Sequence, residues 1–310
     1  MKKSRLIGTV TPLLLTASAL AAAEKLYSFA FKRINYVPDA SDEMQKYATA
    51  YYRHVDWVAT HDHLAVWHLD TTDHQHLSAL WLAHPNSHKA VIIGHGYKGT
   101  GITMSNYAQM FYELGFSVLL PDDRGHGQSD GDYISFGWLD RADYLGWLDK
   151  MAQELGPEAQ LLLFGVSMGA ATVSMVAGSS ALPPQVKAVV ADCGYSSLDE
   201  ELSYLLKKLF HLPRRPLVPL ASFINYRRLG FGIGQVDVKR ALRHNHLPLL
   251  VIHGAKDVYV PTAMGITNYN ASAGPKALWI VPDAIHAESY WVDPTAYRDH
   301  IAAFIAPYFA

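Results

Sequence analysis

Six short apolar runs, most of them separated by helical segments, constrain the fold of this chain most strongly. Strands that lack polar alternation are typically buried on both faces of a parallel sheet. Strands that alternate with helices predict parallel pairing through right-handed crossovers. The pattern therefore predicts an α/β fold with a mostly parallel sheet. The six runs are KAVIIGHG, FSVLLP, QLLLFG, VKAVVADCG, LPLLVIHG and KALWIVP.

Two segments depart from this alternation of strands and helices and predict further elements. HLAVWHLD and LSALWLAH, which are joined by TTDHQH, predict an antiparallel hairpin that begins near residue 63. Residues 196–243 contain no good strand pattern and have prolines at 213, 216 and 219. We interpret this segment as a mostly helical cap that is inserted after the sixth strand.

The composition limits the function classes. The chain has 310 residues, of which 50% are hydrophobic and 17% are charged, so a sizeable core is expected. A formal net charge of -2 gives no reason to expect a nucleic-acid partner. The single cysteine, Cys193, excludes an intrachain disulfide.

The N-terminus predicts a membrane or export segment. Lys2, Lys3 and Arg5 precede an uncharged run over residues 6–23, which as a helix would span about 27 Å. We favour an uncleaved membrane anchor over a cleaved signal, although Ala21 and Ala23 offer a small-x-small cleavage site. Either alternative predicts that the domain that follows is extracytoplasmic or secreted. The predicted organisation is an anchor or signal at 1–23, a juxtamembrane region at 24–62 and a single α/β domain at 63–310 that contains the helical segment 196–243.

The stretch LLLFGVSMGAATVS predicts a tight turn between a strand and a helix. Ser167 lies between Gly165 and Gly169, where an apolar run changes into small residues typical of a helix start. A serine hydroxyl is a weak nucleophile at neutral pH, so it needs a base, an acid that orients the base, and donors for an oxyanion. Because a single G-x-S-x-G motif occurs often by chance, the remaining groups have to be found elsewhere.

The required groups follow other predicted strands. GHGYKG follows an early strand, and HGAKDVYVP places Asp257 just beyond a later one. VPDAIHAESY places His286 after the last strand. The chain order Ser167, Asp257, His286 is that of the nucleophile-elbow arrangement. Asp192 is the alternative acid, but it follows its strand so closely that we expect it to brace the strand end or the first turn of the cap.

From about residue 60 onward, the sequence resembles the serine α/β-hydrolase superfamily. The motifs that carry the resemblance are HGYKG, DDRGHGQSDG, GVSMG, HGAKDVYVP and the late histidine. The sequence is most similar to membrane-anchored or secreted hydrolases of Gram-positive bacteria, which are grouped with serine aminopeptidases and monoacylglycerol lipases. The resemblance implies an α/β-hydrolase fold in which Ser167 is the nucleophile, His286 the base and Asp257 its orienting acid. It also implies that the backbone N–H groups of Tyr97 and Met168 form the oxyanion hole.

Several other residues have a structural and a functional interpretation. We expect His95 to brace a loop, Asp123 and Arg124 to hydrogen-bond across a turn, and Cys193 to be a core residue. His126 is a weaker candidate for the site. A cluster of N-terminal histidines fits a solvated surface better than a metal site, because it lacks a helical i, i+4 pair and cysteines. The cluster comprises His54, His61, His63, His68, His74, His76, His84 and His88.

The basic residues of the cap also have two interpretations, a solvated face or attraction to anionic lipid. They are Lys207, Lys208, Arg214, Arg215, Arg227 and Arg228. The predicted function is hydrolysis of a small-molecule carboxylic ester through an acyl-enzyme, without a cofactor or a metal. The alternatives are a peptidase or amidase with the same three residues and a surface binding protein that lacks catalysis. The sequence leaves the oligomeric state open.

Overall fold

The computed structural model describes residues 4–39 and 41–309, with side chains from residue 18 onward. The chain divides into two compact units. One comprises Met1–Lys32 and Ser197–Val236, and the other comprises Arg33–Ser196 and Asp237–Ala310. Among the residues searched, which are those described, no helix is both long and apolar enough to cross a membrane. Because residues 6–17 of the predicted anchor lie outside the described side chains, the anchor stays a prediction.

The larger unit is built on one eight-stranded sheet in the order β1-β2-β4-β3-β5-β6-β7-β8. The first two strands form the predicted antiparallel hairpin, β2 also runs antiparallel to β4, and the remaining neighbours are parallel. This confirms the predicted fold class. The strands are β1 (Leu64–Asp70), β2 (His76–Leu82), β3 (Lys89–Gly94), β4 (Ser117–Pro121), β5 (Gln160–Val166), β6 (Val186–Asp192), β7 (Leu249–Gly254) and β8 (Lys276–Val281).

Helices surround the sheet within the same unit. They are α2 (Ala48–Ala59), α3 (Ser105–Glu113), α4 (Asp140–Leu155), α5 (Met168–Ala177), α8 (Val238–Leu242), α9 (Thr262–Ala271), α10 (Ser289–Val292) and α11 (Pro294–Ile305). The apolar runs supply the core because every residue of β4 and β7 is buried, as are nearly all residues of β3, β5 and β6. Each fully buried Val, Leu or Ile side chain contributes about 1.5–3 kcal/mol relative to an exposed one.

The smaller unit joins two distant parts of the sequence. It contains α1 (Ser4–Phe31), α6 (Leu198–Phe210) and α7 (Arg214–Leu229), so the helical insertion after β6 lies where the sequence predicted it. The buried Tyr27 hydroxyl donates to Asn225 Oδ1 at 3.0 Å, and Arg228 pairs with Glu24 at 2.7 Å. These contacts hold α1 against α7, and α8 belongs to the larger unit.

Candidate active site

Ser167 lies in a strained turn between β5 and α5. Its backbone has φ 57° and ψ -114°, a positive-φ conformation that costs about 1–3 kcal/mol for a residue with a side chain. The Ser167 N–H donates to the carbonyl oxygen of Asp192 at 2.8 Å, which ties the turn to the end of β6. The surrounding fold therefore holds a serine in a conformation that an isolated chain disfavours.

The glycines around Ser167 are required by close backbone packing. A Cβ on Gly169 would lie 2.1 Å from the carbonyl oxygen of Gly94, and one on Gly165 would lie 2.3 Å from the Gly169 carbonyl carbon. Both distances are far below contact, so only glycine fits at these two positions. The end of β3 thus packs directly on the first turn of α5.

His286 joins Ser167 to Asp257 by hydrogen bonds. His286 Nε2 lies 2.9 Å from Ser167 Oγ, within the 2.6–3.2 Å reach expected of a general base. On the other side of the ring, Nδ1 lies 2.7 Å from Asp257 Oδ2. The structure therefore brings together the three side chains that the sequence predicted, from the ends of β5, β7 and β8. We call this hydrogen-bonded set the triad.

The Asp257 carboxylate is buried, and several N–H groups donate hydrogen bonds to it. Its Oδ1 accepts the backbone N–H groups of Tyr259 and Val260, both at 2.9 Å. Burial alone would raise the pKa of Asp257, but hydrogen bonds from His253 and His286 outweigh it and lower the pKa to about 2. Asp257 is consequently ionised at neutral pH and can stabilise positive charge on His286.

His253 is a partner of the triad that the sequence analysis missed. Its Nε2 lies 3.2 Å from Asp257 Oδ2 and 3.0 Å from the carbonyl oxygen of Val260. Because both of these atoms accept, Nε2 carries the proton and donates. Within the described residues His253 Nδ1 has no hydrogen-bond partner, and a Cβ on Gly265 would lie 2.3 Å from it. The available signal was the His-Gly pair at the end of β7, which resembles the His95-Gly96 pair that directly follows β3.

We expect His253→Ala to lower kcat by about tenfold to a hundredfold, because a hydrogen bond to a charged group contributes about 1.5–3 kcal/mol. His253→Gln keeps an N–H donor near the position of Nε2 and should recover most of the rate. Steady-state kinetics on both variants, with melting curves as a check of folding, measure this. Equal kcat values for the two folded variants would show that the N–H donor of His253 does not support the rate.

Asp192, the alternative acid, lies away from the triad hydrogen bonds. Its two oxygens accept the hydroxyl groups of Ser289 at 3.1 Å and Tyr297 at 2.9 Å. Burial raises the pKa of Asp192 to about 6, although hydrogen bonds from Tyr297 and Ser289 act in the opposite direction. Of the two expected roles, the carboxyl group therefore has the first: it braces the end of β6 against α10 and α11.

The two predicted oxyanion donors border Ser167. Met168 is the first residue of α5, and the first N–H groups of a helix have no partner within the helix. Gly96, next to Tyr97, lies close enough that a Cβ on it would be 3.8 Å from Ser167 Cβ. The positive end of the helix dipole also favours negative charge at this point. The arrangement suits a developing oxyanion, while the assignment of Tyr97 and Met168 remains a prediction.

Two buried histidines hold the loop that carries Tyr97. His95 Nδ1 donates to the Gly96 carbonyl at 2.8 Å, and its Nε2 accepts the Asp123 N–H at 3.0 Å. His126 Nε2 accepts the Lys98 N–H at 3.2 Å, on the other side of Tyr97. Burial lowers the pKa of both imidazoles, which keeps each one neutral and able to accept. The loop-bracing role predicted for His95 thus has a second contributor in His126.

The DDRGHG segment is stabilised differently from the expectation. Arg124 does not pair with Asp123 but with Asp143, at 2.6 Å, and with Asp73 in the hairpin turn. Asp123 instead accepts the Tyr144 hydroxyl at 2.9 Å. Burial, reinforced by the nearby carboxylate of Asp140, raises the pKa of Asp123 well above its usual range. The difference arises because the first turn of α4 places Asp140 and Asp143 beside this loop.

Cys193 lies beside the triad. Its sulfur, an Asp257 oxygen and a His286 nitrogen all lie within 4.8 Å of one another. These are ligand types that a soft divalent metal can use, but a metal requires a thiolate. Burial raises the pKa of the Cys193 thiol well above its usual range, and the triad hydrogen bonds already use the other two groups. A buried core thiol therefore describes Cys193 better than a metal ligand.

The N-terminal histidines have ordinary local partners. His54 Nδ1 contacts Gln109 at 2.8 Å, and His76 contacts Asp70 at 2.8 Å on the hairpin. His63, His68, His74 and His88 are exposed. These contacts fit a solvated surface that takes no part in the triad.

Sequence relatives identify the family. The sequence model of the serine aminopeptidase family S33 matches residues 85–223. The uncharacterized protein YqkD of Bacillus subtilis is 31% identical over 215 residues, which cover 69% of this chain and 70% of the relative. The chain belongs to the serine α/β-hydrolase superfamily. A second relative of this hydrolase, the uncharacterized protein YfhR of Escherichia coli K12, is 26% identical over 221 residues, 71% of each chain.

Solved structures agree with this fold. An esterase from Pyrococcus furiosus superimposes with a TM-score of 0.65 at 20% identity, over 90% of this chain and 97% of that one. Acetyl xylan esterase 1 from Thermoanaerobacterium gives a TM-score of 0.59 at 18% identity, over 93% of this chain and 98% of that one. At these identities the likeness shows the α/β-hydrolase architecture alone.

Proposed function

We propose that this hydrolase cleaves carboxylic esters through an acyl-enzyme formed on Ser167. The observation that carries the proposal is the pair of hydrogen bonds that link Ser167 Oγ, the His286 ring and Asp257, at 2.9 and 2.7 Å. The strained turn supports it, because strain of this kind persists where a fold over-determines a functional residue.

Each proton in the proposed cycle has a place. His286 Nε2 takes the Ser167 hydroxyl proton as Oγ bonds to the ester carbonyl carbon, and the carbonyl oxygen becomes an oxyanion. The N–H groups of Tyr97 and Met168 would stabilise this charge. His286 then gives the proton to the leaving alcohol as the ester C–O bond breaks. A water that gives one proton to His286 Nε2 then attacks the acyl carbon. As the bond to Oγ breaks, His286 returns that proton to Ser167, so the acid leaves and the hydroxyl group and the neutral ring are restored.

A peptidase or amidase is the second candidate, because the family model that matches residues 85–223 is that of serine aminopeptidases. The same triad can cleave an amide if His286 protonates the leaving amine. A panel of p-nitrophenyl esters from acetate to palmitate, run beside aminoacyl p-nitroanilides, separates the two. We expect the highest kcat/KM of the panel with one of the esters. A kcat/KM for an anilide that exceeds the value for every ester would overturn the ester assignment.

A binding protein that retains the fold without catalysis is the remaining alternative. A fluorophosphonate probe distinguishes it from an enzyme, because the probe labels only a serine that an adjacent base activates. We expect stoichiometric labelling of the native chain and loss of labelling after heat denaturation. A native chain that stays unlabelled would overturn the enzymatic proposal.

A further inference from the structure

The connection between α6 and α7 presents an unusual surface. All ten residues of the segment 207–216, with the sequence KKLFHLPRRP, are exposed. Three of them are large and apolar, and Leu209, Phe210 and Leu212 are 53%, 42% and 37% exposed. We call this segment the α6–α7 turn. Consecutive exposed apolar side chains on a surface commonly indicate an interaction site.

The apolar surface continues on α1. Phe29 is 62% exposed, and its ring packs edge-on against Phe210 with the ring centroids 6.0 Å apart. The same helix begins at Ser4, so its N-terminal part carries the uncharged run 6–23. The α6–α7 turn therefore contacts α1, the helix whose N-terminal part contains this apolar run.

Charge distinguishes this unit from the rest of the chain. Residues 18–32 and 197–236 contain eight Lys or Arg against four Asp or Glu. Residues 33–196 and 237–310 contain fifteen Lys or Arg against twenty-four Asp or Glu. Four of the basic residues flank the apolar side chains of the turn, namely Lys207, Lys208, Arg214 and Arg215. The turn thus combines apolar groups and positive charge in an otherwise acidic protein.

The exposed face of α7 has the same composition. Phe223 and Tyr226 are 61% and 59% exposed, and Arg227 beside them is exposed as well. Aromatic and basic side chains together are typical of surfaces that lie at a membrane interface, where rings enter the headgroup region and cations meet anionic lipid. A merely solvated face would not need exposed Leu and Phe.

We propose that the α6–α7 turn and the adjoining face of α1 bind the surface of an anionic membrane. Leu209, Phe210, Leu212 and Phe29 would enter the boundary between headgroups and acyl chains, and the flanking Lys and Arg would pair with lipid phosphates. The proposal concerns a binding surface and is independent of the reaction at Ser167.

Site-specific labelling of the full-length chain tests this proposal. Leu209→Cys and a matched control, Val66→Cys, each receive an environment-sensitive fluorophore, and Val66 is 57% exposed on β1 of the larger unit. The native Cys193 is fully buried and should not react under native conditions. The labelled chains are added to phosphatidylcholine vesicles with or without phosphatidylglycerol, both containing a brominated lipid that quenches the fluorophore.

We expect the Leu209 label to be quenched at least about twofold more than the Val66 label in phosphatidylglycerol vesicles, and less in pure phosphatidylcholine. Changing Lys207, Lys208 and Arg215 to Gln, or raising the salt concentration, should lower that quenching by about twofold or more. Arg214 is kept because it pairs with Asp199 at 2.8 Å.

Three outcomes would overturn the proposal. Equal quenching of the two labels would show that the turn stays in solvent. Equal quenching of the Leu209 label in the two vesicle types would remove the role of anionic lipid. If the fluorescence of the Leu209 label changes with protein concentration in the absence of vesicles, the surface would be assigned to a second copy of this chain.

Discussion

Ser167→Ala is expected to lower kcat for ester hydrolysis by a factor on the order of 10⁶, by analogy with the loss of the nucleophile in other serine hydrolases. The alanine removes Oγ, the atom proposed to form the acyl bond, while His286 and Asp257 keep their hydrogen bond at 2.7 Å. Stopped assays with the best ester of the panel measure the loss. The variant should fold, because alanine preserves the Cβ that Ser167 places near Gly96.

Ser174→Ala is the matched control. Ser174 is buried on α5, the helix that follows Ser167, and lies outside the triad. The variant should retain nearly full activity. Mass spectrometry of fluorophosphonate-treated protein should place the adduct on the peptide that contains Ser167. An adduct on another peptide, or a Ser167→Ala variant with substantial activity, would refute Ser167 as the nucleophile.

Asp257→Asn is expected to lower kcat by roughly 10⁴ with the fold retained, by analogy with the same change in a serine protease. The carboxylate oxygen that faces His286 Nδ1 also faces His253 Nε2, at 2.7 and 3.2 Å. An amide would remove the negative charge, and if its nitrogen faced His286 it would favour the wrong tautomer of the ring. Steady-state kinetics with melting curves measure the effect.

Asp192→Asn is the control for this prediction. It is expected to change kcat by less than about tenfold, because within the described residues the Asp192 carboxyl group accepts hydrogen bonds from the neutral hydroxyl groups of Ser289 and Tyr297 and from no side chain of the triad. With its native pKa raised to about 6, Asp192 binds its proton more tightly in the folded than in the unfolded chain. Its contribution to stability therefore falls as the pH rises from about 4 to 6, and this part of the pH dependence should disappear in Asp192→Asn. A larger kcat loss for Asp192→Asn than for Asp257→Asn would identify Asp192 as the acid.

The sequence predicted the positions of the triad because each residue follows a recognisable apolar strand. Parallel strands end at the same edge of a sheet, so chain order alone places Ser167, Asp257 and His286 near one another. The Ser167 turn could also be predicted, because its two glycines mark close backbone packing: Gly165 against the start of α5 and Gly169 against the end of β3. Such local patterns carry enough information without knowledge of side-chain packing.

The remaining features depend on how loops fold back and how elements pack on one another, which the sequence patterns used for the strands do not show. His253 is four residues before Asp257, yet its imidazole reaches the carboxylate only because the turn after β7 folds back. Arg124 pairs with Asp73 and Asp143 because the hairpin turn and α4 pack beside it. The pairing of Tyr27 with Asn225 joins residues 198 positions apart, so the packing of α1 on α7 was not predictable from either segment.

The burial of Ala23 limits when the predicted cleavage site could be used. Proteases cut accessible, flexible segments, and a folded element must open locally before it can be cleaved. Ala23 is fully buried inside the continuous helix α1, one residue before the Glu24 that pairs with Arg228. If the predicted cleavage site after Ala23 is used, the cut must therefore precede the packing of residues 197–236 against this helix.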